Sequence, residues 1–177
     1  MLWEVLESAY PFQSSWLKVR KDHIRMPSGH EIPDFYVTEL NDWVNVIAVT
    51  QDGYILIEEQ YRHGIEQVCY ELPAGAVEIG EDPLQTAKRE LVEETGYSGG
   101  EWLPFGISVP NASGCNTRCY SFLAVSVERQ QMVNSDPSEE IKLHLLSKSK
   151  VREMLVSGLI LEGVMQAPLW RYLSENL

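Results

Sequence analysis

Basic side chains are scarce in this sequence: 14 Lys and Arg stand against 26 Asp and Glu among 177 residues, a formal net charge of -12. Such an excess repels phosphate backbones, whose binding depends on cations displacing counterions, so no nucleic-acid partner is expected. Cysteine is also rare. Cys69, Cys115 and Cys119 cannot all pair, and their spacing fits neither a metal knuckle nor a CxxC redox motif, which points to reduced thiols in a cytoplasmic protein. No run of about 18 uncharged apolar residues is present, and Met1-Leu2-Trp3-Glu4 lacks the basic start of an export signal, so no membrane partner is expected. Repeats, low-complexity tracts and Pro/Ser/Gly-rich linkers are missing too. With 44% apolar and 10% aromatic residues, the chain is long enough to bury one substantial core.

Pattern divides the chain near residue 42. Upstream, Trp16-Leu17-Lys18-Val19-Arg20 alternates, Pro27-Ser28-Gly29 signals a turn and Phe35-Tyr36-Val37 follows Pro33, so residues 1–42 read as a small β-rich appendage. Downstream, Val44 to Thr50 is a nearly continuous apolar strand, turned by Gln51-Asp52-Gly53 into Tyr54-Ile55-Leu56-Ile57. Val68 to Leu72 is a further strand. Asp82 can cap a helix that has Pro83 at its first position, and Gly96 can end it. Strands are expected at 106–109, 120–125 and, as an outer strand, 141–146; helical spacing marks Val151, Met154 and Leu155, then Val164, Met165, Leu169, Trp170 and Leu173. A mixed sheet flanked by helices covers all these apolar faces, which makes residues 43–177 an α/β (α+β) domain.

The chemistry concentrates in GAVEIGEDPLQTAKRELVEETGY, residues 75–97. At 3.6 residues per turn Glu90 and Glu94 share a helix face, with Glu93 beside them. Leu84, Ala87 and Leu91 form the apolar face that anchors the helix, leaving the carboxylates outward, and Arg89 lies four residues before Glu93. Two carboxylates about 5.5 Å apart in a cleft of effective dielectric near 20 repel by roughly 3 kcal/mol, a sign that a divalent cation reverses. Oxygen ligands without a Cys/His cluster favour Mg²⁺ or Mn²⁺, which commonly share their coordination with substrate phosphates. A salt-bridged surface helix is the competing account. His63 and His144 show no partner acid at useful sequence spacing.

The segment resembles the Nudix box: Gly75, Glu81, Arg89, Glu90, Leu91, Glu93, Glu94, Gly96 and Tyr97 stand at its positions, Tyr97 where an aliphatic residue is commoner. Seven fixed Gly, Glu and Arg positions match by chance less than about once in ten million starts. The resemblance implies a Nudix-type α/β/α sandwich that hydrolyses a nucleoside diphosphate linked to another moiety. It implies Glu90 and Glu94 as central metal ligands, Glu93 assisting metal or water, a backbone carbonyl near Ala74 completing the shell and Glu81 closing the loop and helping with metal; Gly75, Arg89 and Gly96 are structural.

Glu59-Gln60-Tyr61-Arg62-His63-Gly64 and Tyr70-Glu71-Leu72-Pro73-Ala74-Gly75 are similar to the ADP-sugar pyrophosphatase branch. That likeness implies Arg62 as a phosphate contact, Trp16 as a base-stacking residue on an N-terminal strand, a homodimer joined through that region and ADP-ribose as first-choice substrate. The branch's Ser-Pro-Gly loop is replaced by Val109 to Arg118, where Asn116 and Arg118 are candidates to read the sugar or phosphate, Asn116 equally a polar turn residue. Glu139 falls where related enzymes carry a mobile glutamate that serves as base or ligand. The alternatives are a Nudix hydrolase for another derivative, such as GDP-mannose or a dinucleotide, and a non-catalytic nucleotide sensor.

Overall fold

A computed structural model describes residues 2–130 and 140–175. Two compact units are present: Met1–Asp42 with Val109–Arg118, and Trp43–Ser108 with Cys119–Leu177.

The first unit is an antiparallel sheet of β1 (Glu4–Gln13), β2 (Lys18–Arg25) and β3 (Glu31–Glu39), in that order. Pro11 lies within β1, where the pairing register breaks between Ala9 and Phe12; an edge strand tolerates a residue that cannot donate to a ladder. The Pro27-Ser28-Gly29 turn forms as expected, with Gly29 at φ 84° donating its N–H to Met26 O at 2.9 Å. The strand expected at 16–20 starts later, at Lys18. Ser14 accounts for the difference: its Oγ accepts from the N–H groups of Trp16 (3.3 Å) and Leu17 (3.0 Å), diverting backbone donors that a strand would use. Buried Asp22 accepts from Ser8 Oγ at 2.7 Å and Arg20 Nε at 2.9 Å, so its charge is compensated. Val109–Arg118 runs along the open side of β3, with Thr38 N donating to Gly114 O at 2.8 Å.

In the second unit the apolar runs become β4 (Trp43–Thr50), β5 (Ile55–Arg62), β6 (Gln67–Glu71), β7 (Ala74–Ala76), β8 (Tyr97–Ser98), β9 (Glu101–Ser108), β10 (Cys119–Arg129) and β11 (Ile141–Leu146). The sheet runs β11-β5-β4-β10-β8, with β6 on β5, β7 on β4 and β9 on β10; β4 and β10 are parallel and their other pairings antiparallel. The expected outer strand is thus an end strand of a mixed sheet. Side chains alternate across it. Ile47, Val49, Ile55 and Ile57 pack with Val151, Met154 and Leu155 of α2 (Lys148–Val156) and Met165, Leu169 and Tyr172 of α3 (Gly163–Ser174). Val44, Val46, Ala48 and Leu56 pack with Ala87 of α1 (Pro83–Glu90) and with Leu91. Two helical layers enclose one sheet, giving the α/β/α sandwich implied by the sequence.

Candidate active site

The site is organised by α1 and the turn after it. Asp82 caps the helix, accepting from Leu84 N at 3.0 Å and Gln85 N at 3.2 Å, and Pro83 occupies the first turn. The α-helix gives way to a π-turn over Leu91–Thr95, closed by Gly96 at φ 74°. Periodicity did not foretell this change of pitch. The two carboxylates expected to face outward lie against β7 instead: Glu94, on the π-turn, is 5% exposed and accepts from Ala74 N at 3.0 Å. Glu90 packs on Gly75, where a Cβ would come within 2.0 Å of Glu90 Oε1.

Arg89 is the counter-charge. Its guanidinium lies 2.9 Å from Glu90 Oε1, 2.9 Å from Glu93 Oε2 and 3.2 Å from Glu81 Oε1. These partners raise the pKa of Arg89 further, Glu81 contributing most, and Arg89 in turn holds the Glu81 carboxyl below its ordinary range. Glu78 N contacts Glu81 Oε2 at 3.4 Å, tying Glu81 to its own loop. Glu81, Glu90 and Glu93 therefore meet at Arg89, while Glu90 and Glu94 meet at the Ala74-Gly75 backbone. Among the described residues no three Asp, Glu, His or Cys side chains already surround one point as metal ligands. The all-oxygen donors of Glu90 and Glu94 and the Cβ-free cradle at Gly75 nevertheless fit a hard divalent cation.

Arg62 ends β5 and is clasped by Glu71 of β6: Nε lies 3.1 and 3.0 Å from the two carboxylate oxygens and Nη2 lies 2.5 Å from Oε2. Glu71 is 2% exposed, and the pairing raises the pKa of Arg62, to which Glu162 and Glu94 also contribute. The clasp leaves Nη1 as the guanidinium edge that Glu71 does not take. Glu71 entered the sequence reading only within a motif and in the acidic count, and its role toward Arg62 follows from the pairing of β5 with β6. Glu162 went unnoticed altogether. His144, for which sequence spacing offers no acid, finds one on another strand: Glu59 Oε2 is 2.7 Å away, with Lys142 3.2 Å from the same oxygen. Strand pairing of β11 with β5 brings these residues together across 85 positions, which local spacing cannot reveal.

Trp16 and Arg118 belong to the first unit. Trp16 lies between strands rather than on one, is 84% exposed, and lines a cavity of about 210 Å³ with Ser14, Lys18, Glu39, Asn41 and Asn116. Arg118 donates its backbone N–H to Asp42 Oδ1 at 2.9 Å, while Asn116 Oδ1 accepts from Leu40 N at 3.3 Å, a bond across 76 positions that joins its segment to the end of β3. Glu139 lies outside the described residues.

The chain belongs to the Nudix family: the NUDIX domain matches residues 40–158, which include the capped helix, the π-turn and the glycine-containing strand described above. Residues 3–38 match the nucleoside diphosphate sugar hydrolase N-terminal domain. The chain is 36% identical over 153 residues to the ADP-ribose pyrophosphatase of Saccharomyces cerevisiae, covering 78% of this chain and 66% of that protein. It is 42% identical over 86 residues to the methanol dehydrogenase activator of Bacillus methanolicus, covering 49% and 46%. These matches span less than two thirds of either relative. Among solved structures, an ADP compounds hydrolase shares the fold with a TM-score of 0.83 at 15% identity, over 99% of this chain and 94% of that one.

Proposed function

We propose that the protein is a hydrolase that splits the diphosphate of a nucleoside diphosphate sugar, ADP-ribose first, into a nucleoside monophosphate and a sugar phosphate. The observation that carries this reading is the seating of Glu90 and Glu94, one turn apart, on the Ala74-Gly75 backbone. The yeast relative's name supports the substrate class. A divalent cation, Mg²⁺ or Mn²⁺, supplies charge neutralisation at the diphosphate and an activated water when bound. The chain's residues do the rest. Glu90, Glu94, Glu81 and the Ala74 carbonyl hold the metal, Arg89 fixes Glu81, Glu90 and Glu93, and Glu93 or Glu139 orients or deprotonates water. Arg62, aligned by Glu71, offers a guanidinium edge to phosphate.

The first unit extends the proposal. Trp16, exposed beside a cavity, suits stacking on the nucleobase, and Arg118 is proposed to contact the sugar or phosphate. Exposed Trp3, Tyr10, Phe12 and Tyr36 on this unit support association into a homodimer, and the free Cys69, Cys115 and Cys119 support a cytoplasmic setting. The test is product analysis: with ADP-ribose and Mg²⁺ or Mn²⁺, AMP and ribose 5-phosphate are expected in equal amounts. Absence of both products from ADP-ribose, GDP-mannose and UDP-glucose alike would sink the proposal.

A further inference from the structure

Thr95 is the last residue of the π-turn and is wholly buried, and its hydroxyl is used twice. Thr95 Oγ1 donates to Leu91 O at 2.5 Å, back across the turn, and accepts from Tyr97 N at 3.0 Å, forward into β8. A hydroxyl carries one proton and two lone pairs, so this one joins a carbonyl on one side to an N–H on the other. The two residues that it joins are held elsewhere as well. Leu91 and Tyr97 are buried in one apolar core with Val44, Val46 and Phe122, and Gly96 turns the chain between Thr95 and Tyr97 at φ 74°. Glu93 and Glu94 lie inside the span of chain that the bridge closes, and Glu94 is the immediate neighbour of Thr95.

A threonine inside a helix commonly bonds the carbonyl four residues back, and such a bond bends the helix. Bending alone needs only that bond. The second one, from Tyr97 N, makes the side chain a strut between the start of the π-turn and the strand that follows it. Within the strutted span, Glu94 is 5% exposed and reaches across to Ala74 N on β7 at 3.0 Å. A carboxylate divided between a backbone N–H and a cation keeps its alignment only while its own backbone stays still, since a displacement of about 1 Å is enough to disable a reacting group. We infer that Thr95 is a positioning residue: its hydroxyl, bridging Leu91 O and Tyr97 N, fixes the π-turn so that the Glu94 carboxylate stands where a divalent cation can take it. The γ-methyl has no part in this. The inference rests on the function proposed above and assigns the group that holds one of its metal ligands in place.

The test is Mn²⁺ binding to the full chain without substrate, followed by calorimetry, alongside ADP-ribose hydrolysis at saturating metal. Thr95→Val keeps the branched shape and removes the hydroxyl, whereas Thr95→Ser keeps the hydroxyl and removes the methyl. Val151→Ala, in α2 against the other face of the sheet, loosens the core without touching the turn and serves as control. Thr95→Val is expected to bind Mn²⁺ about tenfold or more weakly and to turn over correspondingly slowly, the usual loss when a group supporting a metal ligand is removed. Its KM for ADP-ribose at saturating metal stays within about twofold. Thr95→Ser and Val151→Ala keep the wild-type Mn²⁺ affinity, whatever their melting temperatures. Unchanged Mn²⁺ affinity in Thr95→Val overturns the inference, as does an equal loss in Thr95→Ser or Val151→Ala. A Thr95→Val chain that does not fold makes the hydroxyl a requirement of the fold and overturns the positioning role. Each of these results leaves the proposed function standing, which fails instead if the wild-type chain binds Mn²⁺ and hydrolyses no nucleoside diphosphate sugar. A wild-type chain that binds no Mn²⁺ overturns the metal site and the inference with it.

Discussion

Position 75 tolerates only glycine while Glu90 keeps its place, since an added Cβ would stand 2.0 Å from Oε1 and 2.6 Å from Cγ of that side chain. The obstructing atoms belong to a side chain that can swing away, so Gly75→Ala should cost little stability and much geometry. Melting within a few degrees of wild type is expected, with turnover lowered by about a hundredfold, the usual order for a displaced reacting group. Glu94→Gln separates charge from shape. The amide can still accept from Ala74 N–H, so the variant folds, whereas activity falls by about a thousandfold or more when an anionic metal ligand is lost. Steady-state rates alongside melting curves decide both cases; near wild-type turnover in Glu94→Gln would remove that residue from the site.

At the scale of elements, α1 and its π-turn form one device with two ends. Asp82 starts it and Gly96 stops it, both legible as letters in the sequence. Between them Leu91 is fully buried in the core formed with Val44, Val46, Leu56 and Phe122. Leu91 sits where α-helical pitch ends, so its packing sets the direction in which Glu93 and Glu94 leave the turn. Leu91→Ala is expected to destabilise by about 2–5 kcal/mol and to lower the melting temperature by roughly 5–15 °C. Its residual activity, measured well below that temperature, should also fall, because the cavity relaxes the turn that seats Glu94. The π-turn itself was not visible beforehand. A sequence period averages over a helix and does not register one residue's change of pitch.

For the whole molecule the relevant quantity is charge. Residues 71–94 hold seven acids against Lys88 and Arg89, so a net -5 of the chain's -12 is gathered in 24 residues at the place proposed to bind a diphosphate. Arg89 is wholly engaged by carboxylates and Arg62 has one guanidinium edge left by Glu71, so the proposed diphosphate site depends on divalent metal for most of its positive charge. Chelation should abolish turnover, and added Mg²⁺ or Mn²⁺ should restore it; activity that persists in excess chelator would refute metal dependence. The exposed aromatics of the first unit make a second whole-molecule prediction: sedimentation should give twice the 20.2 kDa chain mass, and a monomer at micromolar concentration would refute the dimer.

The Nudix box, the capped helix, the acidic balance and most strand positions were written in local sequence, because spacing of side chains along a helix or strand is a property of consecutive residues. Glu93 with Arg89, four residues apart, was legible too, but tertiary structure alone decided the partners of the other carboxylates. It turned Glu94 inward onto Ala74, placed Glu71 against Arg62, brought His144 to Glu59 and set Glu162 within the electrostatic reach of Arg62. Each of these pairs joins separate elements, and strand register with helix packing fixes their approach. The sequence determined that a Nudix box with its glutamates is present; only the fold determined how their charges are shared.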